Sequence, residues 1–358
     1  MKNKFKIATL LFFATSFTLG ACSDWTDIEG IDIKQPNIQE QNPELYTKYL
    51  ENLCEYKKNQ EHKLVYAWFD NSEKVPYNRG QHMSDLPDSI DIVILTHPEE
   101  LVPFEREEIK ILKDKGTKVA YAVSYDDIKA KYDEEQITAS QIQMKENSEN
   151  TFDGFLREEV KKQLAYSETF DGVIIKFNGK NPKYMTDEDR VSVTEMQNSI
   201  SVEDRVSYEA TQEVFFNTIS EWEKENKNKF LSFQGKPQNI IKKEQLSRFL
   251  HIIIEFYQVT DVNKFSLTIQ DCLEPGVPTD RFIMAVSTPS LDSSDTTTGY
   301  LGKELATIET AYWITSISSE YNKSGIAIDN VQNDYYQTNG TYRNVKEVIN
   351  IMNPAPIK

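Results

Sequence analysis

The sequence contains few cysteines and few histidines. Three cysteines and four histidines occur in 358 residues, and neither Cys54 nor Cys272 has a second cysteine or a histidine at metal-ligand spacing. This excludes zinc sites of the Cys/His type, and we expect neither a metal nor a cofactor. We predict that both cysteines are buried free thiols. A disulfide between them is the alternative that an exported protein would allow.

Positive charge is also scarce. The chain has 40 lysines and arginines against 57 aspartates and glutamates, which gives a formal net charge of -17. A chain this acidic is repelled by phosphodiester backbones and by anionic lipid headgroups. We therefore expect no nucleic-acid partner and no membrane contact through a basic patch.

A long apolar run occurs at the N-terminus, where residues 7–19 follow three lysines. The run is too short to span a bilayer comfortably, and small residues lead directly to Cys22. We predict that residues 1–21 are a lipoprotein signal peptide and that a lipid on Cys22 anchors the protein to a membrane it does not cross. An ordinary secretory signal is the alternative, but it leaves Cys22 without a role.

The sequence after residue 21 predicts a tether followed by one domain. Residues 22–43 are polar, contain two prolines and show no hydrophobic period, which is typical of a tether. Apolar residues from Leu45 to Cys54 then recur at helical spacing and predict a helix. The domain is accordingly predicted over residues 44–358.

From residue 64 the chain alternates short β-branched or aromatic runs with helical stretches, which is the pattern of a parallel sheet with crossover helices. Eight such runs predict an α/β fold, a single-domain (β/α)₈ TIM barrel. Helices are predicted over residues 104–115, 155–164 and 209–224, whereas the polar segments 126–151 and 180–204 are predicted to be rim loops or insertions. The eight predicted strands are Leu64–Phe69, Ile90–Leu95, Lys118–Val123, Gly172–Phe177, Phe230–Phe233, Leu250–Phe256, Phe282–Val286 and Gly325–Ile328.

Ligand chemistry in such a barrel is found at the C-terminal ends of the strands. Here those positions are rich in aromatic and hydrogen-bonding side chains, a mixture that suits sugars, since rings stack on the pyranose while amides and carboxylates bind its hydroxyls. Core packing is the alternative for each residue. The candidate ligand-binding residues are Trp68, Asp70, Tyr125, Asn178, Gln234, Glu255, Tyr257 and Asp329.

The fourth predicted strand carries the most specific motif, Phe-Asp-Gly-Val-Ile-Ile-Lys-Phe-Asn-Gly over residues 170–179. It resembles the signature strand of glycoside hydrolase family 18, the chitinases and endo-β-N-acetylglucosaminidases, whose pattern is Asp-Gly-x-Asp-x-Asp-x-Glu. Asp171 and the following glycine match this pattern. The two inner aspartates are replaced by Ile174 and Lys176, and the catalytic glutamate by Asn178.

Other segments resemble the same family. The Asp-Trp pair after Cys22, the order of the eight runs and the C-terminal residues 342–355 are similar to family 18-type lipoproteins of gut Bacteroidetes, which sit among glycan-uptake proteins. This implies a lipid-anchored protein of the outer membrane, at the cell surface, with glycan-uptake proteins as its partners. The Ser-Gly-Gly common on the third strand of chitinases is absent, since Tyr125 and Asp126 follow Ser124.

The resemblance implies a substrate-assisted mechanism in active relatives. A glutamic acid protonates the leaving oxygen, and an aspartate orients the substrate's acetamido group. Strand alternation places residues 174, 176 and 178 on one inner face, where Asn178 cannot act as an acid and Ile174 cannot relay a proton. An unpaired Lys176 is costly inside a barrel, so we predict that it pairs with Glu255 or Asp329.

Three functions are compatible with this sequence. We favour a catalytically inactive barrel that binds glycans, either containing N-acetylglucosamine or rich in mannose. The alternative is an active endo-β-N-acetylglucosaminidase-like hydrolase that uses acids of other strands, with Asp70, Glu255 and Asp329 as candidates. A third is a structural surface lipoprotein whose barrel binds nothing.

Overall fold

The computed structural model describes residues 38–59, 61–141, 151–184 and 202–355. The predicted signal peptide, Cys22 and most of the predicted tether lie outside these residues, so those predictions stay predictions. Among the helices that are described, none is long and apolar enough to cross a bilayer. The chain divides into two compact units, residues 1–48 and residues 49–358, and the barrel lies in the second.

Eight parallel strands form a closed barrel in the order β1-β10-β7-β6-β5-β4-β3-β2. The predicted TIM barrel is therefore confirmed, and each of the eight predicted runs contributes one strand. A two-stranded antiparallel hairpin, β8 and β9, lies between the last two barrel strands along the chain. The strands are β1 Leu64–Phe69, β2 Ile92–Leu95, β3 Lys118–Ser124, β4 Gly172–Phe177, β5 Phe230–Gly235, β6 Ile252–Glu255, β7 Phe282–Ser287, β8 Tyr300–Leu301, β9 Glu304–Leu305 and β10 Lys323–Asp329.

Helices connect most of the barrel strands, and the three predicted crossover helices are confirmed as α3, α5 and α6. They lie where apolar residues recur at helical spacing. The helices are α1 Ile38–Gln41, α2 Pro43–Lys58, α3 Pro103–Asp114, α4 Tyr125–Gln141, α5 Phe152–Leu164, α6 Val202–Glu225, α7 Phe265–Cys272, α8 Ala306–Thr315 and α9 Arg343–Met352.

One predicted loop is a helix. Residues 126–151 were expected to form a loop or an insertion, but the chain is helical through Gln141, while residues 142–150 lie outside the described part of the chain. Tyr125, Ile128 and Tyr132 explain the difference, because their spacing places them on one side of α4. Tyr125 and Ile128 are buried, and Tyr132 contacts Phe152 with ring centroids 5.2 Å apart.

The strands bury both of their faces. On β4, Val173, Ile175 and Phe177 belong to the large cluster between the barrel and its helices, whereas Ile174 belongs to the smaller cluster inside the barrel. Lys176 also faces the interior, since it borders a cavity there with Trp68. The predicted inward orientation of residues 174 and 176 is thus confirmed.

Both cysteines of the barrel unit are free thiols. Cys272 is buried, as predicted, but Cys54 is half-buried, with its Sγ atom 3.9 Å from the carbonyl oxygen of Asp114. Burial raises the pKa of the Cys272 thiol to about 12, so it stays protonated and unreactive at neutral pH.

Candidate functional site

Polar side chains of β4, β5 and β6 meet at the C-terminal end of the barrel. Lys176 is in register with Ser124 on β3 and with Gln234 on β5. The Nζ atom of Lys176 lies 3.6 Å from Oε1 of Glu255, at the end of β6, and Gln234 Nε2 donates to the same oxygen at 2.8 Å. The predicted pairing of Lys176 with Glu255 is confirmed.

Gln234 presents an acceptor without a partner. Its side chain is 3 % exposed, and its Nε2 must face Glu255 because an ionised carboxylate only accepts hydrogen bonds. Oε1 therefore points the other way, and it has no hydrogen-bond partner within the described residues. Since an unpaired buried acceptor costs roughly 1–3 kcal/mol, a ligand O–H or N–H reaching Gln234 Oε1 would gain that much.

Three cavities open around Tyr257. The first, of about 320 Å³, is lined by Trp68, Lys176, Gln234, Tyr257 and Asp329 among others. A second, of about 480 Å³, includes Asn178, Gly235 and Glu255, and a third, of about 200 Å³, includes Tyr300 and Leu301 of β8. Because Tyr257 borders all three, we treat them as one cleft at the mouth of the barrel.

The cleft is acidic, with Lys176 as a cation inside it. Burial, and then the charge of Glu255, raise the pKa of Asp329, although the Asn330 backbone N–H and Lys176 oppose the rise. Burial also raises the pKa of Tyr257 well above its usual value, with contributions from Asp329 and Glu255. Tyr257 is consequently a neutral phenol that can donate its hydroxyl hydrogen to a ligand.

Hydrogen bonds and close packing fix the backbone around Asn178, the position at which the family 18 pattern has a glutamate. The backbone N–H of Asn178 donates to Asp126 Oδ2 at 2.7 Å, and that of Gly179 donates to Asp126 Oδ1 at 3.1 Å. Gly235 has φ +119, and a Cβ atom there would collide with the carbonyl oxygen of Phe177. Asn178 Oδ1 is buried and lacks a hydrogen-bond partner within the described residues. Sequence reasoning gave Asp126 no role, because its place beside β4 is a tertiary contact.

Two predicted ligand-binding residues lie away from the cleft. Tyr125 is 5 % exposed, and its ring packs at a tilt against that of Phe177 with centroids 4.6 Å apart, so this prediction is corrected: Tyr125 is a core residue, turned outward where α4 begins. Asp70 is exposed on the rim, where its Oδ1 accepts a hydrogen bond from Thr96 at 3.4 Å. The structure brings the other six candidates together at the cleft.

Replacement of Lys176 by methionine is expected to lower the free energy of unfolding by about 1 kcal/mol, because Glu255 loses its counter-ion in a half-buried position. The loss is modest because both side chains retain some solvent. Urea denaturation measures it, with Lys303→Met, an exposed lysine between β8 and β9, as the matched control. Equal stability of Lys176→Met and the wild type would remove the support for this ion pair.

Asp329 is expected to make stability depend on pH. Its pKa is raised on folding, so the folded chain binds this proton more tightly than the unfolded chain. The associated stability is present below the ordinary value of 3.8 and is lost as pH rises through the raised value. Asp329→Asn should therefore gain stability relative to the wild type as pH rises from about 3 to 7. Urea midpoints measured across this range would contradict the expectation if the two curves stayed parallel.

Within the described residues no group of three or more His, Cys, Asp or Glu side chains could hold a metal ion. The cleft itself is lined by carboxyl, amide, phenol and ammonium groups. These are hydrogen-bonding groups suited to a polyhydroxylated ligand.

Comparison with known proteins identifies the family. The family model for glycoside hydrolase family 18, BT1044-like, matches residues 26–351. No curated protein sequence matches the chain. In the solved structure of BT1044 with a glutamate-to-glutamine substitution, 17 % of aligned residues are identical, with a TM-score of 0.61, and the alignment covers 89 % of this chain and 96 % of that one.

A second solved structure has the same fold. The endo-β-N-acetylglucosaminidase from Cordyceps militaris is 16 % identical, with a TM-score of 0.54, over 85 % of this chain and 95 % of that one. A variant of that enzyme has been solved in complex with fucosyl-N-acetylglucosamine-Asn, with the same identity and TM-score. At this level of identity the likeness shows the fold, while the family model covers most of the sequence. The chain belongs to glycoside hydrolase family 18, in the group described as BT1044-like.

Proposed function

We propose that this protein is a lipid-anchored, outer-membrane glycan-binding protein whose family 18 barrel no longer hydrolyses its ligand. The observation that carries the proposal is the buried Gln234, which lines the open cleft and keeps an acceptor without a hydrogen-bond partner within the described residues. An unpaired acceptor at the edge of a cavity that also contains Trp68 and Tyr257 supports ligand binding over a purely structural role.

The replaced acids support loss of hydrolysis. At the position of the catalytic glutamate, Asn178 carries an amide, which cannot deliver a proton to a leaving oxygen. Inside the barrel, Ile174 is fully buried among apolar residues, and Lys176 is engaged with Glu255. None of the three can orient an acetamido group as a carboxylate does.

The ligand class follows from the chemistry of the cleft. Tyr257 offers exposed aromatic surface to a pyranose ring, and Trp68, which is 7 % exposed, borders the same cavity. Glu255 can accept hydrogen bonds from hydroxyl or acetamido N–H groups, and Gln234 Oε1 is an unpaired acceptor for a donor that reaches it. The Cordyceps militaris variant binds fucosyl-N-acetylglucosamine-Asn. We propose glycans that contain N-acetylglucosamine or are rich in mannose, delivered onward to outer-membrane glycan-uptake proteins.

A second candidate function rests on Asp329. Burial raises the pKa of Asp329, and the charge of Glu255 adds to the rise, which favours the protonated form that a general acid needs. These two acids could serve a hydrolase that no longer uses β4. Asp70 is no longer a candidate acid for this hydrolase, because it does not line the cleft.

Titration of the purified protein against N- and O-linked glycans tests the proposal. Gln234→Leu is expected to weaken binding by about fivefold, because the ligand loses one acceptor. Lys303→Met serves as the control. If Gln234→Leu bound every glycan with wild-type affinity, the unpaired Gln234 acceptor would no longer support the proposal. If the wild-type protein bound none of the glycans tested, a structural role would be favoured.

The membrane anchor has its own test. Cys22→Ala should move the protein from the membrane fraction to the soluble periplasmic fraction, since a single lipidated residue provides the attachment. Protease added to intact cells should degrade the wild-type protein when it faces outward. An unchanged membrane fraction for Cys22→Ala would contradict lipid anchoring at this residue.

A further inference from the structure

A separate cavity lies at the N-terminal end of the barrel, opposite the cleft, and we call it the basal cavity. Its volume is about 300 Å³. Leu64 at the start of β1, His251 just before β6, Ser324 near the start of β10 and the C-terminal end of α2 border it. This face of a TIM barrel usually serves stability rather than ligand binding. An open cavity here therefore calls for a physical explanation.

The lining of the basal cavity is basic in a protein whose net charge is -17. Lys57, Lys58 and Lys63 border it, and Glu61 is the acid that does so within the described chain. Among the described residues, none of these lysines forms an ion pair with a carboxylate. Lys63 Nζ instead donates to the carbonyl oxygen of Lys323 at 2.8 Å. The lining thus carries positive charge that nearby acids do not neutralise by direct contact.

The carboxylate of Asp91, which contacts the lining residue His62, is already engaged. Asp91 Oδ1 lies 2.9 Å from His62 Nε2, and Asp91 Oδ2 accepts a hydrogen bond from the backbone N–H of Val65 at 2.8 Å. Burial alone would lower the pKa of His62, but its hydrogen bond to Asp91 and the aspartate charge raise it. His62 and Asp91 therefore satisfy each other. Lys57 donates to Thr117 Oγ1 and Lys63 to the Lys323 carbonyl oxygen. Lys58 is thus the lining lysine whose ammonium remains available within the described residues.

His251 supplies a directed donor. Its Nδ1 lies 2.7 Å from the hydroxyl of Tyr66. Burial, and then the charges of Lys118 and Arg281, lower the pKa of His251 to about 4, so the ring is neutral near pH 7. The Tyr66 hydroxyl also lies 3.2 Å from Ser232 Oγ. Burial raises the pKa of Tyr66, so it keeps its proton, and we assign its hydrogen bond to His251 Nδ1, which is the nearer of the two acceptors and the stronger base. The ring hydrogen of His251 is consequently on Nε2.

We propose that the basal cavity is a second binding site, which takes a small oxyanion such as a phosphate group between the Lys58 ammonium and the His251 Nε2–H. A tetrahedral oxyanion offers the acceptors that these donors lack. Lys57 would also gain, since burial lowers its pKa to about 8 despite attraction from Asp91 and Asp88. A bound anion would stabilise its charged form.

The test is a calorimetric titration of the purified protein with inorganic phosphate at constant ionic strength, with chloride as the reference anion. We expect saturable binding of one phosphate. Lys58→Glu and His251→Gln should each weaken it by at least about fivefold, because one reverses a charge and the other removes the ring donor. Lys303→Glu, which reverses the charge of an exposed lysine on the β8–β9 hairpin, should bind like the wild type.

Each outcome bears on the proposal. Absence of saturable phosphate binding, or wild-type affinity in Lys58→Glu, would overturn it. Lys58 is exposed, so its variant keeps the test valid if His251→Gln fails to fold. Competition by vesicles of phosphatidylglycerol, with the same loss in Lys58→Glu, would assign the oxyanion to a lipid headgroup, whereas vesicles without effect would assign it to a free phosphate.

Discussion

Replacing Tyr257 with alanine is expected to weaken glycan binding by about 2 kcal/mol, or roughly 30-fold. Tyr257 borders all three cavities of the cleft, so any ligand that occupies the mouth contacts its ring. Tyr257 is 36 % exposed, so its removal should cost the fold less than that of a fully buried ring, and a stability measurement on the variant separates the loss of ligand contact from any loss of stability. The loss would therefore report contact with the ligand rather than damage to the barrel.

Two control variants sharpen the Tyr257 experiment. Tyr257→Phe keeps the ring and removes the hydroxyl donor, so it should lose only about 1 kcal/mol of binding free energy. Tyr312→Ala removes a tyrosine that is 56 % exposed on helix α8, and it should bind like the wild type. Wild-type affinity in Tyr257→Ala would show that glycans do not occupy this cleft.

Replacing Phe177 with alanine is expected to lower the free energy of unfolding by about 3–5 kcal/mol. Phe177 ends β4 and is fully buried. Its ring centroid lies 4.6 Å from that of Tyr125, 5.9 Å from that of Phe216 and 6.1 Å from that of Phe215. An alanine would leave a cavity between the barrel and α6 that these aromatic rings cannot fill.

Guanidinium denaturation measures the Phe177 effect. Phe177→Leu is the matched control, and it should cost about 1–2 kcal/mol because most of the volume is retained. A loss below about 1 kcal/mol in Phe177→Ala would mean that the aromatic cluster does not support β4. The experiment also bears on function, since this cluster holds the strand that presents Lys176 and Asn178.

The barrel could be predicted because strands buried on both faces appear in the sequence as short continuous apolar runs. Ile283 and Met284 on β7 illustrate this, since one packs inside the barrel and the other beneath the helices. Helix α4 escaped prediction because its surface is acidic and polar. Its buried side consists of a few residues such as Tyr125 and Ile128, and the sequence does not show which residues of the barrel pack against them.

Part of the site was also predictable, once the barrel had been predicted. The C-terminal ends of the strands converge whatever the sequence, so Gln234, Glu255 and Asp329 could be grouped from the barrel alone. The sequence does not specify whether a residue just past a strand turns inward or outward, so Tyr125 was misplaced. Nor could it locate the basal cavity, whose lining comes from segments nearly two hundred residues apart, such as Lys58 and His251.

The cleft is expected to bind glycans without cleaving them. The most direct test of this expectation incubates the purified protein with the glycoproteins or glycans that it binds and follows the products by mass spectrometry. An active family 18 endo-β-N-acetylglucosaminidase is the positive control. We predict that every bound glycan is recovered intact. Release of an oligosaccharide by the wild type, abolished in Asp329→Asn, would contradict the account and identify the protein as a hydrolase.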